Sequence, residues 1–168
     1  MAWDRHLERW QVLHRVGVLD TPFEWLTHAG SYGALWLLVA LALALALRRP
    51  GLLAWTVVAD GVGELASEAL KAAIPRARPH LQPLVALPHS HSFPSGHATT
   101  SFACATVLAA AVPRLRFPLY LLAAAVAWSR VYVGVHYPLD VLAGAVLGLA
   151  IGLVARAVPE HVGGRRPP

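Results

Sequence analysis

Three short stretches hold most of the residues in this chain whose types and spacing could do chemistry. The last of them, Ser129 to Asp140, reads SRVYVGVHYPLD and places a cation, a histidine and a carboxylate between two long apolar runs. Charge in such a setting is retained where it serves a site. Pro138 suits the first turn of a following helix, since its missing N–H costs nothing there. His136 then lies just outside that helix. Asp140 follows one helical turn later, where its carboxylate reaches back toward the imidazole. A carboxylate on one ring nitrogen fixes the tautomer and leaves the other nitrogen as a nucleophile or base. The other two stretches are Lys71 with Arg78-Pro79, and Pro94-Ser95-Gly96-His97. Lys71, Arg78 and Arg130 together suit the spread oxygens of a phosphoryl group. Ser95 caps a helix opening near His97, and flexible Gly96 with the first N–H groups of that helix makes an anion seat. The chemistry this set can perform is a phosphoryl transfer. His136, held by Asp140, attacks phosphorus, while His97 protonates the leaving oxygen and then activates water. The cations supply the electrostatic stabilisation, so the expected site uses no metal and no cofactor.

The elements that must position these residues are set by composition. The 168 residues are 57% hydrophobic and only 14% charged, with a mean hydropathy of +0.53, whereas soluble domains carry about 25% charge. The expectation is an all-α, integral-membrane helical bundle forming a single domain over 1–168. Its parts are N-terminal amphipathic helices over 1–29, a transmembrane bundle over 30–158 and a flexible tail over 159–168. The formal net charge of +5 does not point to nucleic acid, because the arginines fall in short groups between apolar runs, as loop anchors do. Cys104 is the single cysteine and reads as a small buried hydrophobe. The N-terminus has charges but no adjacent apolar core with a cleavage site, so no removable signal peptide is expected.

Trp3, Leu7, Trp10 and Leu13 recur at helical spacing with Asp4, Arg5, Glu8 and Arg9 mostly opposite, which predicts an amphipathic helix lying in the membrane interface or on the protein's own surface. Thr21-Pro22-Phe23-Glu24 reads as a capping box opening a short helix to about His28. Five spanning helices are expected at about 29–47, 52–74, 98–112, 118–132 and 139–158. The second is unusual in carrying Asp60, Glu64 and Glu68 four residues apart, one stripe expected to face the bundle interior or a wet cavity, with Lys71 in reach of Glu68. Pairing is the reading preferred over a metal site there. His80, His89 and His91 lie in the long polar connection 75–94 and read as solvent-facing, with a metal at His89 and His91 the lesser alternative. Gly144, Gly148 and Gly152 share one face of the last helix and permit close packing.

Counting spans decides whether the three stretches can meet. The first follows span two, the second precedes span three and the third joins spans four and five, so all lie on one membrane face. Lys-x6-Arg-Pro, Pro-Ser-Gly-His and Ser-Arg-x5-His-x3-Asp, in that order, closely resemble the type-2 phosphatidic acid phosphatase superfamily, membrane lipid phosphatases related to the vanadium haloperoxidases. The resemblance implies a metal-independent phosphatase working through a phosphohistidine on His136, with Asp140 as its partner and His97 as the acid. It also implies that Lys71, Arg78, Ser95, Gly96 and Arg130 bind the phosphoryl oxygens. Members usually have six spans where five are counted here, and the Trp3 to Leu13 region stands in for the missing one. The acidic stripe is outside the family motif.

Seven Lys and Arg residues fall on each side of the expected bundle. Removing the three assigned to phosphate leaves four on the site's face against seven, so the positive-inside rule puts the site outside the cytoplasm, and with the small size and short loops the expectation is a bacterial envelope enzyme. The expected partners are the bilayer and a lipid phosphate, with polyprenyl diphosphate preferred over phosphatidic acid, phosphatidylglycerol phosphate or a phosphorylated glycolipid carrier. A lipid phosphotransferase at the same site, an inactive binding module and a vanadate-dependent peroxidase are the rival readings.

Overall fold

The computed structural model of the protein describes residues 2–156. Every described element is helical: α1 Ala2–Leu13, α2 Asp20–Ala29, α3 Ala34–Leu47, α4 Gly51–Ala73, α5 Gly96–Ala111, α6 Arg116–Tyr132 and α7 Pro138–Arg156, with 3-10 turns at Gly17–Leu19, Ser31–Gly33 and Pro113–Leu115. Helices α3 through α7 thus occupy the five segments expected to be helical, with ends within a few residues of those expected except at the start of α3. Residues 157–158 of the last expected span, and the tail 159–168, lie outside the described residues.

The first span differs most. The apolar run does not continue from Ala29 as one helix, because the chain turns through 70° between the segment ending at Ala29 and α3. Gly33 makes the corner with φ of +66°, and a Cβ there would sit 2.4 Å from both Asp60 carboxylate oxygens. Only a glycine fits both the left-handed backbone and that approach. The expected capping box is also displaced. The residue before α2 is Leu19, with no side-chain cap, and Thr21 is already inside the helix. By length and composition α7 alone among the described helices is sufficient to cross a membrane, and the segment ending at Ala29 together with α3 passes as a bent pair.

Helix α5 is the centre of the bundle, with most of its residues buried and packed against α4, α6 and α7. Its composition explains this: Ala, Ser, Thr and Gly let neighbouring backbones approach, which is how helices gain packing where lipid removes the hydrophobic drive. On α7, Gly144, Gly148 and Gly152 are buried and face α5, where a Cβ at Gly148 would lie 2.2 Å from the Thr99 carbonyl oxygen. Trp36 of α3, fully buried, donates its indole N–H to Ser101 Oγ at 2.9 Å. That bond satisfies the one polar atom of a large side chain in the core.

Helix α1 packs on α6 and α7, with Asp4, Glu8 and Val12 buried while Trp3, Leu7, Trp10 and Leu13 are exposed. The inward face is thus mainly acidic and the apolar face points away from the protein, the reverse of a helix packing on an aqueous surface. The helix rests on its own protein with Asp4, Glu8 and Val12 turned inward, and its exposed face is apolar and tryptophan-bearing.

Candidate active site

The loops at one end of the bundle close over a cavity of about 550 Å³. The end of α4, the connection 74–95, the start of α5, the end of α6 and the start of α7 all reach this end, as do α1 and α2. Lys71, Arg78, Gly96, His97, Arg130 and His136 line the cavity. Ser95 and Asp140 are fully buried beside it. Each of the eight residues singled out from the sequence is therefore at this end, six on the wall and two behind it.

His136 follows the α6 terminus in a tight turn, its own N–H and that of Val135 both bonded to the Arg130 carbonyl at 3.2 Å. Its Nε2 lies 2.9 Å from an Arg78 terminal nitrogen. A guanidinium only donates, so Nε2 is an acceptor here and the ring proton resides on Nδ1. Nδ1 faces Asp140 Oδ2 at 3.5 Å, an approach longer than an ordinary hydrogen bond. Burial, and then the charges of Arg130, Arg78 and Lys71, hold the His136 pKa well below the usual histidine value. A neutral imidazole with a lone pair on Nε2, facing the cations, is what a nucleophile toward phosphorus requires.

Arg78 is fixed in place by the connection itself. Its guanidinium donates to the carbonyls of Ser90 at 2.8 Å, Val135 at 3.0 Å and His91 at 3.1 Å. Lys71 donates to Glu68 Oε1 at 2.5 Å, as the i, i+3 spacing predicts. Arg130 donates to Thr27 Oγ1 at 2.5 Å. Its Nε, like Ser95 Oγ, is buried with no hydrogen-bond partner among the described residues. Unused buried donors are costly unless a ligand completes them. Ser95 does stand at the N-cap position of α5, but its side chain makes no capping bond, so the hydroxyl remains available. A Cβ at Gly96 would lie 3.2 Å from Ser67 Oγ, 3.4 Å from Glu64 Oε2 and 3.5 Å from Lys71 Nζ, space that a side chain would take from the seat.

His97 is oriented by residues that the sequence motifs do not contain. Its Nε2 lies 3.2 Å from the Thr27 carbonyl and 3.3 Å from Ser31 Oγ. A carbonyl can only accept, so Nε2 carries a proton in this arrangement. Thr27 and Ser31 come from α2 and the turn after it, about 70 residues away along the chain, and no local pattern could have found them. Arg76 is likewise outside the sequence motifs. It donates to Asp140 Oδ1 at 2.5 Å and also bonds Asp4. Its position two residues before Arg78 was the one signal available. The acidic stripe does face the cavity, which Asp60, Glu64 and Glu68 line on the α4 side. Among the described residues, no group of three or more His, Cys, Asp or Glu is arranged to hold a metal ion. His91 Nδ1 is 3.0 Å from the Lys71 carbonyl oxygen, and His80 and His89 are exposed.

Two histidines, three cations and an N-cap serine thus gather about one cavity at one end of a helical bundle. Residues 33–162 match the PAP2 superfamily, and the chain belongs to that family of phosphatases. It is 36% identical over 161 residues to the decaprenylphosphoryl-5-phosphoribose phosphatase of Mycobacterium tuberculosis, covering 92% of this chain and 86% of that one. Its fold matches the crystal structure of the PAP2-type phosphatidylglycerolphosphate phosphatase from Bacillus subtilis with a TM-score of 0.79, at 28% identity, covering 98% of this chain and 88% of that one. Aquifex aeolicus LpxE matches with a TM-score of 0.79 at 30% identity, covering 92% of this chain and 95% of that one. As members of this family are, the chain is a membrane phosphatase.

Proposed function

We propose that the protein is a metal-independent phosphatase of lipid-linked phosphates, acting by a two-step transfer through His136. In the first step the His136 Nε2 lone pair forms an N–P bond, the bond from phosphorus to the leaving oxygen breaks, and His97 gives that oxygen a proton. In the second, His97 takes a proton from water, the water oxygen bonds phosphorus, and the N–P bond breaks to release phosphate and restore His136. Lys71, Arg78, Arg130, Ser95 Oγ and the N–H groups opening α5 hold the phosphoryl oxygens, and Asp140 holds His136. The observation that carries this reading is the pair of unpartnered buried donors, Arg130 Nε and Ser95 Oγ, beside the His136 Nε2 lone pair and the Arg78 guanidinium. That set lacks only an anion with several oxygens.

Helices α3 to α7 are the five spans of this proposal, with α1 lying in the interface at the site's end. Of the cations at that end, Arg15 donates to the Tyr132 and Gln82 carbonyls and Arg76 bonds Asp4 and Asp140. Arg5 and Arg9 remain exposed there, against Arg48, Arg49, Arg114, Arg116 and Arg156 at the other end. That asymmetry supports a cytoplasmic far end and an extracytoplasmic site in a bacterial plasma membrane. The substrate we favour has a polyprenyl tail, a choice supported by the relative named as a decaprenylphosphoryl-5-phosphoribose phosphatase and by an undecaprenyl-diphosphatase of Sulfolobus acidocaldarius, 44% identical over 69 residues.

The test is phosphate release by detergent-purified protein, with chelator present. The panel comprises a polyprenyl diphosphate, a polyprenylphosphoryl sugar phosphate, phosphatidic acid and phosphatidylglycerol phosphate. Release from a polyprenyl substrate, abolished in His136→Ala protein of unchanged fold, is the expected result. Release dependent on a second lipid or sugar acceptor would instead establish a transferase. Inhibition by chelator, reversed by a divalent ion, would overturn the metal-free mechanism.

A further inference from the structure

The Asp140 carboxylate is itself held by residues outside all three motifs. Arg76 binds Asp140 Oδ1 through one terminal nitrogen at 2.5 Å and Asp4 through the other, while its guanidinium lies over the Tyr137 ring, 4.3 Å from the centroid. Asp4 Oδ1 accepts from the Leu139 N–H at 2.9 Å, so this carboxylate of α1 also serves the first turn of α7. Asp4 and Asp140 are both fully buried. Two buried carboxylates sharing one guanidinium depend on it, because removing the cation leaves like charges buried close together without a counterion. With Oδ1 committed to Arg76, Asp140 turns Oδ2 to the Tyr137 N–H at 2.9 Å and to His136 Nδ1 at 3.5 Å.

We propose that Arg76 and Asp4 are positioning residues for the phosphoryl transfer. Asp4 sets the Arg76 guanidinium, and Arg76 keeps Asp140 aimed at His136 Nδ1. The docking of α1 is thereby part of the active machinery, although none of its described residues lines the cavity. The inference rests on His136 being the nucleophile, as read above. It also accounts for the burial of Asp4 on a helix whose apolar face is left outside.

The experiment is a cycle of Asp4→Asn, Arg76→Gln and the double variant, assayed in one detergent with a soluble aryl phosphate. Melting temperature is followed beside kcat and KM. Losing a charged hydrogen bond to the positioning carboxylate lowers kcat by about 10- to 100-fold in Arg76→Gln, with KM within about twofold. Asp4→Asn lowers it less, and the double variant is no worse than Arg76→Gln, because Asp4 acts through Arg76. Added guanidinium restores part of the kcat of Arg76→Ala, a response that a purely structural staple does not give. Two results would each overturn the proposal: kcat per folded molecule unchanged in Arg76→Gln while its melting temperature falls, or fully additive losses in the double variant. His136→Ala run in parallel separates the two readings. Turnover surviving there removes the nucleophile assignment, whereas turnover lost there but kept in Arg76→Gln removes only the positioning role.

Discussion

Gly144→Ala is the sharpest test of how the fold sets the site, because it adds one methyl group at the seam between the helices that carry His97 and Asp140. A Cβ at Gly144 would stand 2.5 Å from the Ser95 carbonyl oxygen, 3.0 Å from Ala98 Cβ and 3.1 Å from Thr99 Oγ1. The Ser95 oxygen is backbone, tied into α5 by the Thr99 N–H at 3.0 Å, so it cannot swing aside, and the Ser95 N–H is bonded to the Asp140 carbonyl at 2.9 Å. Ordinary contact begins near 3.4 Å, so α7 and the start of α5 must part by roughly 0.9 Å to admit the methyl group, and overpacking of this kind costs about 1–3 kcal/mol. The displacement falls between Ser95-Gly96-His97 on one side and Asp140 on the other. A shift of about 1 Å between reacting groups lowers turnover by about 100-fold. The assay is phosphate release and thermal unfolding of purified Gly144→Ala beside Gly152→Ala. The second residue lies two turns deeper, where a Cβ would meet Thr106 Cβ at 2.5 Å, far from the catalytic groups. Both variants should lose stability, and only Gly144→Ala should lose most of its kcat. Gly144→Ala with near-normal kcat would refute the claim that the α5–α7 seam sets the catalytic spacing.

Other outcomes follow from the same geometry. His97→Ala should nearly abolish hydrolysis of an alkyl phosphate while sparing much of the first transfer from an aryl phosphate, whose leaving oxygen needs little protonation. Equal losses with both substrates, read in single turnover, would remove His97 as the acid. Burial and the Arg130, Arg78 and Lys71 charges hold His136 neutral well into the acidic range, so the acid limb of kcat/KM lies below the usual histidine value of about 6.5. Replacing Arg78 by Gln removes one charge that disfavours the imidazolium, so the His136 pKa rises and that limb moves to higher pH. An unmoved limb, or one displaced toward acid, would contradict the assignment of the limb to His136.

The legible part of the site was that carried by short spacings. His136 and Asp140 are one helical turn apart, Glu68 and Lys71 are neighbours on one helix face, and Pro138 opens α7 as its ring geometry requires. Those relations depend on the helical repeat alone. The glycine face of α7 was legible for the same reason, although its partner, α5, was not. The capping box failed because Thr21-Pro22-Phe23-Glu24 has the right letters inside a helix that begins earlier, at Asp20. The straight first span failed because a single corner at Gly33, closed on Asp60, bends an otherwise unbroken apolar run.

By itself the sequence determined that the chain is a helical bundle, where its helices lie and that three polar stretches meet at one end. Apolar length, breakers and span parity are properties of the chain read along its own axis. Only the tertiary structure decided what surrounds the proposed catalytic residues: Thr27 and Ser31 on His97, Arg76 on Asp140, and Asp4 reaching Arg76 from α1. Such partners lie tens of residues apart and share no period, so their meeting is fixed by how helices pack and where buried charge finds its counterion. The same holds for α1, whose pattern of tryptophans and arginines announces an amphipathic helix. Which face it turns to the protein follows Asp4, whose carboxylate meets the guanidinium of Arg76 and the N–H of Leu139.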